Sequence, residues 1–177
     1  MSTPAADISV LVGKKFACVK VRGRANFTAS LDFDRLLTGL RQKGFGFFVI
    51  ELSECAFMDS TFLGVLAGFG LKMTGGDSET SGHAVELLNP NARISELLEN
   101  LGVMHLFAIS RGQCADPATL EPCEHEPAEH SREEVTRACL EAHETLMKIN
   151  PNNAERFKDV AKFLAEDLER LKAKTES

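Results

Sequence analysis

An α/β fold with a largely parallel or mixed sheet is predicted for the first two thirds of this chain, with a helical extension after it. Three observations carry the prediction. Short apolar, strand-forming runs alternate with helix-periodic segments between residues 8 and 110. A proline-bearing stretch without periodicity follows at 111–130. Two amphipathic segments then fill 131–177. A length of 177 residues suits one domain with a small appendage.

The elements follow in order. ISVLV (8–12) and FACVKVRG (16–23) flank Gly13-Lys14-Lys15 and read as a hairpin. Segment 27–43 spaces Leu31, Leu36, Leu37 and Leu40 among charges, as an amphipathic helix ending at Gly44. FFVIELS (47–53) suits a buried central strand. Residues 60–73 read as a helix stopped by Gly75-Gly76, HAVELLN (83–89) as a strand, ARISELLENLG (92–102) as a helix and HLFAIS (105–110) as a last short strand. Strands separated by helices require right-handed crossovers.

The stretch RGQCADPATLEPCEHEPAEH (111–130) reads as a linker, dividing a domain at 1–110 from helices at 131–177. Charge divides there too: residues 1–110 hold 10 basic and 11 acidic side chains, and 111–177 hold 10 and 15. Ser131 and Glu134 form a capping-box pattern. Val135, Ala138, Cys139, Ala142 and Leu146 make one apolar stripe, and Phe157, Val160, Ala161, Leu164, Leu168 and Leu171 a second. Two helices this short must bury those stripes against each other, the first domain or a second chain, so self-association through them is one expectation.

Composition narrows the function. At 44% hydrophobic and 26% charged residues the chain is not wholly disordered. A net charge of −6 opposes general affinity for nucleic acid. No apolar run approaches the roughly 20 residues of a membrane helix. The start, MSTPAADISV, lacks an export signal, so a cytoplasmic protein with five reduced cysteines is expected. Cys114, Cys123, His125 and His130 fit none of the usual zinc spacings, so no metal or cofactor is expected. There is no G-x-S-x-G elbow or phosphate-binding glycine loop, and the histidines have no nucleophile nearby in sequence. A non-enzymatic role is the expectation. The phenylalanines Phe16, Phe27, Phe33, Phe45, Phe47 and Phe48 are read as core.

The most informative stretch is VIELSECAFMDSTFLGVLAGFG (49–70), where a buried strand runs into a loop that delivers Asp59-Ser60-Thr61 to an apolar helix. Asp and Ser are favoured helix starters, so these residues also read simply as a cap. Beyond that, FVIELSECAFMDS resembles the "apolar strand, D/N-L-S, x-x-F-M/I-D-S" signature of the sulfate-transporter and anti-sigma-factor-antagonist (STAS) domain family. Ser60-Thr61 with Leu63-Gly64-Val65-Leu66 fits the same signature. Gly23 matches the family's G-x-x-D turn, and ELLNPNARISELLENLGVMHLFAIS its closing strand, helix and short strand. The resemblance spans about residues 7–110.

That resemblance implies a small mixed sheet with helices packed on one side. It implies a regulator that binds an anti-sigma factor, itself a serine/threonine kinase of the histidine-kinase-like ATPase type, until the kinase phosphorylates the serine after the aspartate. Carried over, Ser60 is the phosphoacceptor, Thr61 the alternative and Asp59 the flanking acid. Two positions depart from the pattern: Phe62 stands where glycine is usual, and Arg24-Ala25-Asn26 puts Asn26 in place of the turn aspartate. Arg24, Asn26, Asp59 and Phe62 are therefore expected at the partner surface, Phe62 as a specificity residue. Other readings on the same fold are a constitutive scaffold or ligand sensor, with Ser60 only a cap, and an accessory subunit of a lipid or small-molecule transport system.

Overall fold

The computed structural model describes residues 6–74, 83–114, 120–125 and 128–176. Gly75-Gly76, read above as a helix stop, and Pro117, Glu126 and Pro127 of the linker lie outside them. The elements are β1 (Asp7–Val12), β2 (Phe16–Ala25), α1 (Phe27–Gln42), β3 (Phe47–Glu51), β4 (Cys55–Met58), α2 (Ser60–Met73), β5 (Val85–Leu88), α3 (Ala92–Asn100), β6 (Ala108–Ser110), β7 (Glu121–Cys123), α4 (Arg132–Ile149) and α5 (Asn153–Thr175). A single 3₁₀ turn, Met104–Leu106, precedes β6 where one continuous strand was expected.

The sheet is mixed, with strand order β6-β5-β3-β2-β1-β7. β1 pairs antiparallel with β2 and β7, while β2, β3, β5 and β6 run parallel. The hairpin and the crossover helices expected from the sequence account for this topology. β4 and β7 were not foreseen. β2 is long enough to pair β3 along its first half and β4 along its second, with the register shifting at Gly23. Gly23 has φ +84°, which a residue with Cβ rarely adopts, so the strand bends there rather than closing. β7 falls within the stretch read as linker; Pro122 is tolerated because β7 is an edge strand.

One face of the sheet carries the main core. Ala17, Val19 and Val21 of β2 point into it, with Phe33 and Leu37 of α1 and Phe62, Leu63 and Leu66 of α2. The hairpin of α4 and α5 adds Leu146 to this core. It is pinned by Asn153, whose amide donates to the carbonyls of Leu101 and Leu146, each at 2.9 Å. α4 begins with the expected capping box between Ser131 and Glu134. Of α5's stripe, Ala161 and Leu168 are buried, but Val160 is 43% exposed and so is unused by the fold. The opposite sheet face holds a small cluster of Cys18, Val49 and Leu88, with Phe16, Phe47 and Cys114 against it. Phe27 departs from the core reading and is 47% exposed, because it opens α1 at the end of the sheet.

Glu51 is held on that opposite face by the Ser53 amide (2.8 Å) and hydroxyl (2.9 Å). Burial alone would raise its carboxyl; the Ser53, Asn89 and Lys20 interactions together outweigh burial and hold it below the ordinary glutamate value. A lowered carboxyl stabilises the fold above its unfolded value and loses that contribution as pH falls through the folded one. Glu51→Gln should therefore flatten the acid limb of a stability–pH profile recorded by urea titration. An unchanged limb would mean that the cluster contributes nothing.

Candidate functional site at the start of α2

Ser60 lies where β4 hands the chain to α2. The Asp59 amide donates to the Ala25 carbonyl at 2.9 Å, so the end of β4 stays beside the end of β2. This brings the starts of α1 and α2 together, and Asp59 serves both. Its Oδ1 accepts from the Phe62 amide (2.8 Å) and its Oδ2 from the Phe27 amide (2.7 Å). Burial pushes the Asp59 carboxyl up; the Phe62 and Phe27 amides and nearby His143 oppose this without reversing it. Asn26 caps α1 separately, accepting from the Ala29 amide at 3.3 Å. Asp59→Asn would put an amide NH₂ against one of two N–H donors. The Phe27 amide is exposed and can turn to water, so the loss is that of one net hydrogen bond, about 0.5–1.5 kcal/mol, and thermal melting should show a loss of that size. Wild-type stability would remove the double-cap assignment.

With Asp59 as the cap, the Ser60 hydroxyl is free of that duty. It bonds instead to His143 Nε2 of α4, at 3.0 Å across 83 residues of sequence. His143 Nδ1 lies 2.7 Å from the Cys139 carbonyl oxygen. A carbonyl can only accept, so Nδ1 carries the hydrogen, and the neutral ring presents Nε2 as an acceptor. Ser60 Oγ–H therefore donates to His143. The imidazole is 6% exposed, and its ring meets Phe157 of α5 edge-on at 4.9 Å. Reading along the sequence missed His143. The available signal was a histidine four residues beyond Cys139 and next to Ala142, at the border of α4's apolar stripe.

α4 can come this close because residue 64 is glycine. A Cβ there would meet the Ala142 carbonyl oxygen at 2.6 Å. Thr61, the alternative acceptor, is 5% exposed and lies beside the Cys139 side chain of α4. Burial pushes the Cys139 thiol up, so it stays protonated there. Ser60 itself is half-buried.

The remaining expected site residues divide. Arg24 is exposed and lies over the Phe57 ring, 4.8 Å from its centroid. Phe62 is not at a partner surface: it is 0% exposed and stacks on Phe33 with ring centroids 4.4 Å apart. Position 62 faces the sheet because the first turn of α2 is buried from Thr61 through Gly64. The cysteines and histidines weighed for zinc separate: Cys123 lies on β7, and His130 bonds Asp32 Oδ1 at 2.8 Å. Among the described residues no group of three or more metal-ligating side chains is placed to hold an ion, and no helix is long and apolar enough to cross a membrane. A cavity of about 700 Å³ between α1 and the β1–β7 edge is lined by Cys123 and His125 but by none of Arg24, Asn26, Asp59, Ser60, Thr61 and Phe62.

No family model matches the chain. An anti-sigma-B factor antagonist of Staphylococcus aureus (strain NCTC 8325 / PS 47) is 28% identical over 106 residues, 60% of this chain and 94% of the relative. Its counterparts in strains COL and Mu50 match equally. Among solved structures, TM1081 of Thermotoga maritima, a proposed anti-sigma factor antagonist, superposes with a TM-score of 0.51. The match is 17% identical over 58% of this chain and 85% of that one, and it concerns the fold. The chain is thus similar in sequence to anti-sigma-B factor antagonists and has a STAS-like domain fold. In that STAS-like domain Ser60 opens α2, and the hairpin of α4 and α5 packs against α2 from outside the region the resemblance covers.

Proposed function

We propose that this protein is an anti-sigma factor antagonist whose hold on a kinase-type anti-sigma partner is set by phosphorylation of Ser60. The observation that carries the reading is a half-buried serine hydroxyl at the first residue of α2, released from capping by Asp59. Its neighbour Asp59 bonds the amide of exposed Phe27, so a partner that covers Phe27 would also reach the site. The Staphylococcus aureus relative, by its name, antagonises an anti-sigma factor and supports the same role here.

Phosphorylation adds about −1.5 to −2 charges at neutral pH. The helix end offers the new anion little, because Asp59 already occupies the Phe62 amide. The Asp59 carboxylate adds like charge beside it. Covering this site with a partner would require desolvating both anions, so the cost falls on the complex. Residues 1–110 serve as the regulatory domain, 111–130 as its connection and 131–177 as an extension.

Binding to the cognate kinase-type ATPase, with and without ATP, tests the proposal. Wild type should be released by ATP, Ser60→Ala should stay bound, and Ser60→Asp should bind weakly from the start. Ser60→Ala should still fold, losing about 0.5–1.5 kcal/mol for one net hydrogen bond. An ATP-insensitive complex in all three would favour the constitutive scaffold. Release of Ser60→Ala but not Thr61→Ala would move the acceptor to Thr61. Self-association through the hairpin would use Val160 and Phe163, the latter 61% exposed. Sedimentation of Phe163→Glu beside wild type at matched concentration tests it; identical monomers would remove it.

A further inference from the structure

We infer that His143, on the C-terminal hairpin, is the general base for phosphorylation of Ser60, so that the antagonist supplies a catalytic group to its own modification. The inference rests on the proposed acceptor role of Ser60. A base must lie about 2.6–3.2 Å from the atom it deprotonates. His143 Nε2 lies 3.0 Å from Ser60 Oγ. Its tautomer is fixed from behind: Nδ1 donates to the Cys139 carbonyl, and this orients the ring and leaves the Nε2 lone pair toward the hydroxyl. Packing against Phe157 and burial to 6% exposure hold the ring in place. The nucleophile, the base and a group orienting the base are thus all supplied by one chain.

Asp59, the nearest rival base, has both carboxylate oxygens engaged by the Phe62 and Phe27 amides. The same engagement argues against acyl transfer. An oxyanion needs free donors beside the nucleophile, and the Phe62 amide is already taken by Asp59 and the Leu63 amide by the Asp59 carbonyl. Phosphoryl transfer places its charge-stabilising groups around the nucleotide, which the kinase partner binds.

In the step, Ser60 Oγ attacks the γ-phosphorus of ATP held by the partner. The new P–Oγ bond forms as the bond to the bridging oxygen of ADP breaks, and ADP leaves with that electron pair. The Ser60 proton passes to His143 Nε2. The imidazolium then faces the new phosphate and partly balances its charge.

The test uses the full chain with extract of its source cells as kinase and ATP as donor, and reads phosphate at residue 60 by mass spectrometry. His143→Ala should slow the appearance of phosphoserine on the order of 10²-fold or more, and added free imidazole should restore part of the rate. His143→Gln, which can still accept a hydrogen bond, should be equally slow. A thermal melt confirms that each variant is folded. An unchanged or faster rate in His143→Ala would overturn the inference and make α4 a cover over Ser60. A slow His143→Ala that imidazole does not rescue would overturn it in favour of hairpin docking alone. Absence of phosphate on wild-type Ser60 would defeat the acceptor reading itself, which these histidine variants do not otherwise address.

Discussion

Phe62→Ala should lose about 3–5 kcal/mol of folding stability, read from urea midpoints at constant m. Phe62 is fully buried, and its ring stacks on Phe33 between α1 and α2. Truncation removes the transfer free energy of the ring and leaves a cavity where two helices meet the sheet. Neighbouring Leu63 and Leu66 are themselves 0% exposed, so the cavity opens inside the core and not toward solvent. The glycine usual in the resembling family would cost still more, adding about 1 kcal/mol of backbone entropy within a helix. Near-wild-type stability combined with weakened partner binding would return Phe62 to the surface role first expected of it.

Gly64→Val should prise the hairpin off α2. The added Cβ would meet the backbone oxygen of Ala142 at 2.6 Å and its Cβ at 2.7 Å. Backbone cannot rotate away as a long side chain can, so α4 must shift. Overpacking of this kind costs about 1–3 kcal/mol. Displacement would also separate His143 from Ser60, since both contacts lie on the same pair of helices. With 1–110 as a self-sufficient domain, calorimetry should show the hairpin lost first and the domain melting later. A single transition at much lower temperature would mean that Leu146 and Asn153 make the hairpin part of one core, and that the boundary at 110 is not a folding boundary.

The parts of the fold legible in the sequence are those in which local pattern and tertiary role agree. Helix 60–73 matches α2, because an Asp N-cap precedes a long apolar run. The first hairpin and β3 announce themselves through β-branched and aromatic runs. β4 was hidden because CAFM is only four residues and joins directly to the α2 cap. Its pairing depends on β2 continuing past Gly23, a position that reads as a stop. β7 was hidden by its three-residue length and by Pro122. The site was half legible. Asp59 and Ser60 stand out in sequence, but which of them caps α2 depends on the neighbouring start of α1. The Phe62 assignment failed because α2 is apolar nearly all round, so periodicity does not say which face turns inward. His143 is brought to Ser60 by hairpin docking alone, and no spacing rule spans 83 residues.

Site-localised mass spectrometry of the protein recovered from its own cells, free and in complex with its partner, tests the central claim most directly. Phosphate on Ser60 in the free fraction and an unmodified Ser60 in the bound fraction is the predicted result. Unmodified Ser60 in both fractions, or equal phosphate in both, would contradict a switch at this residue.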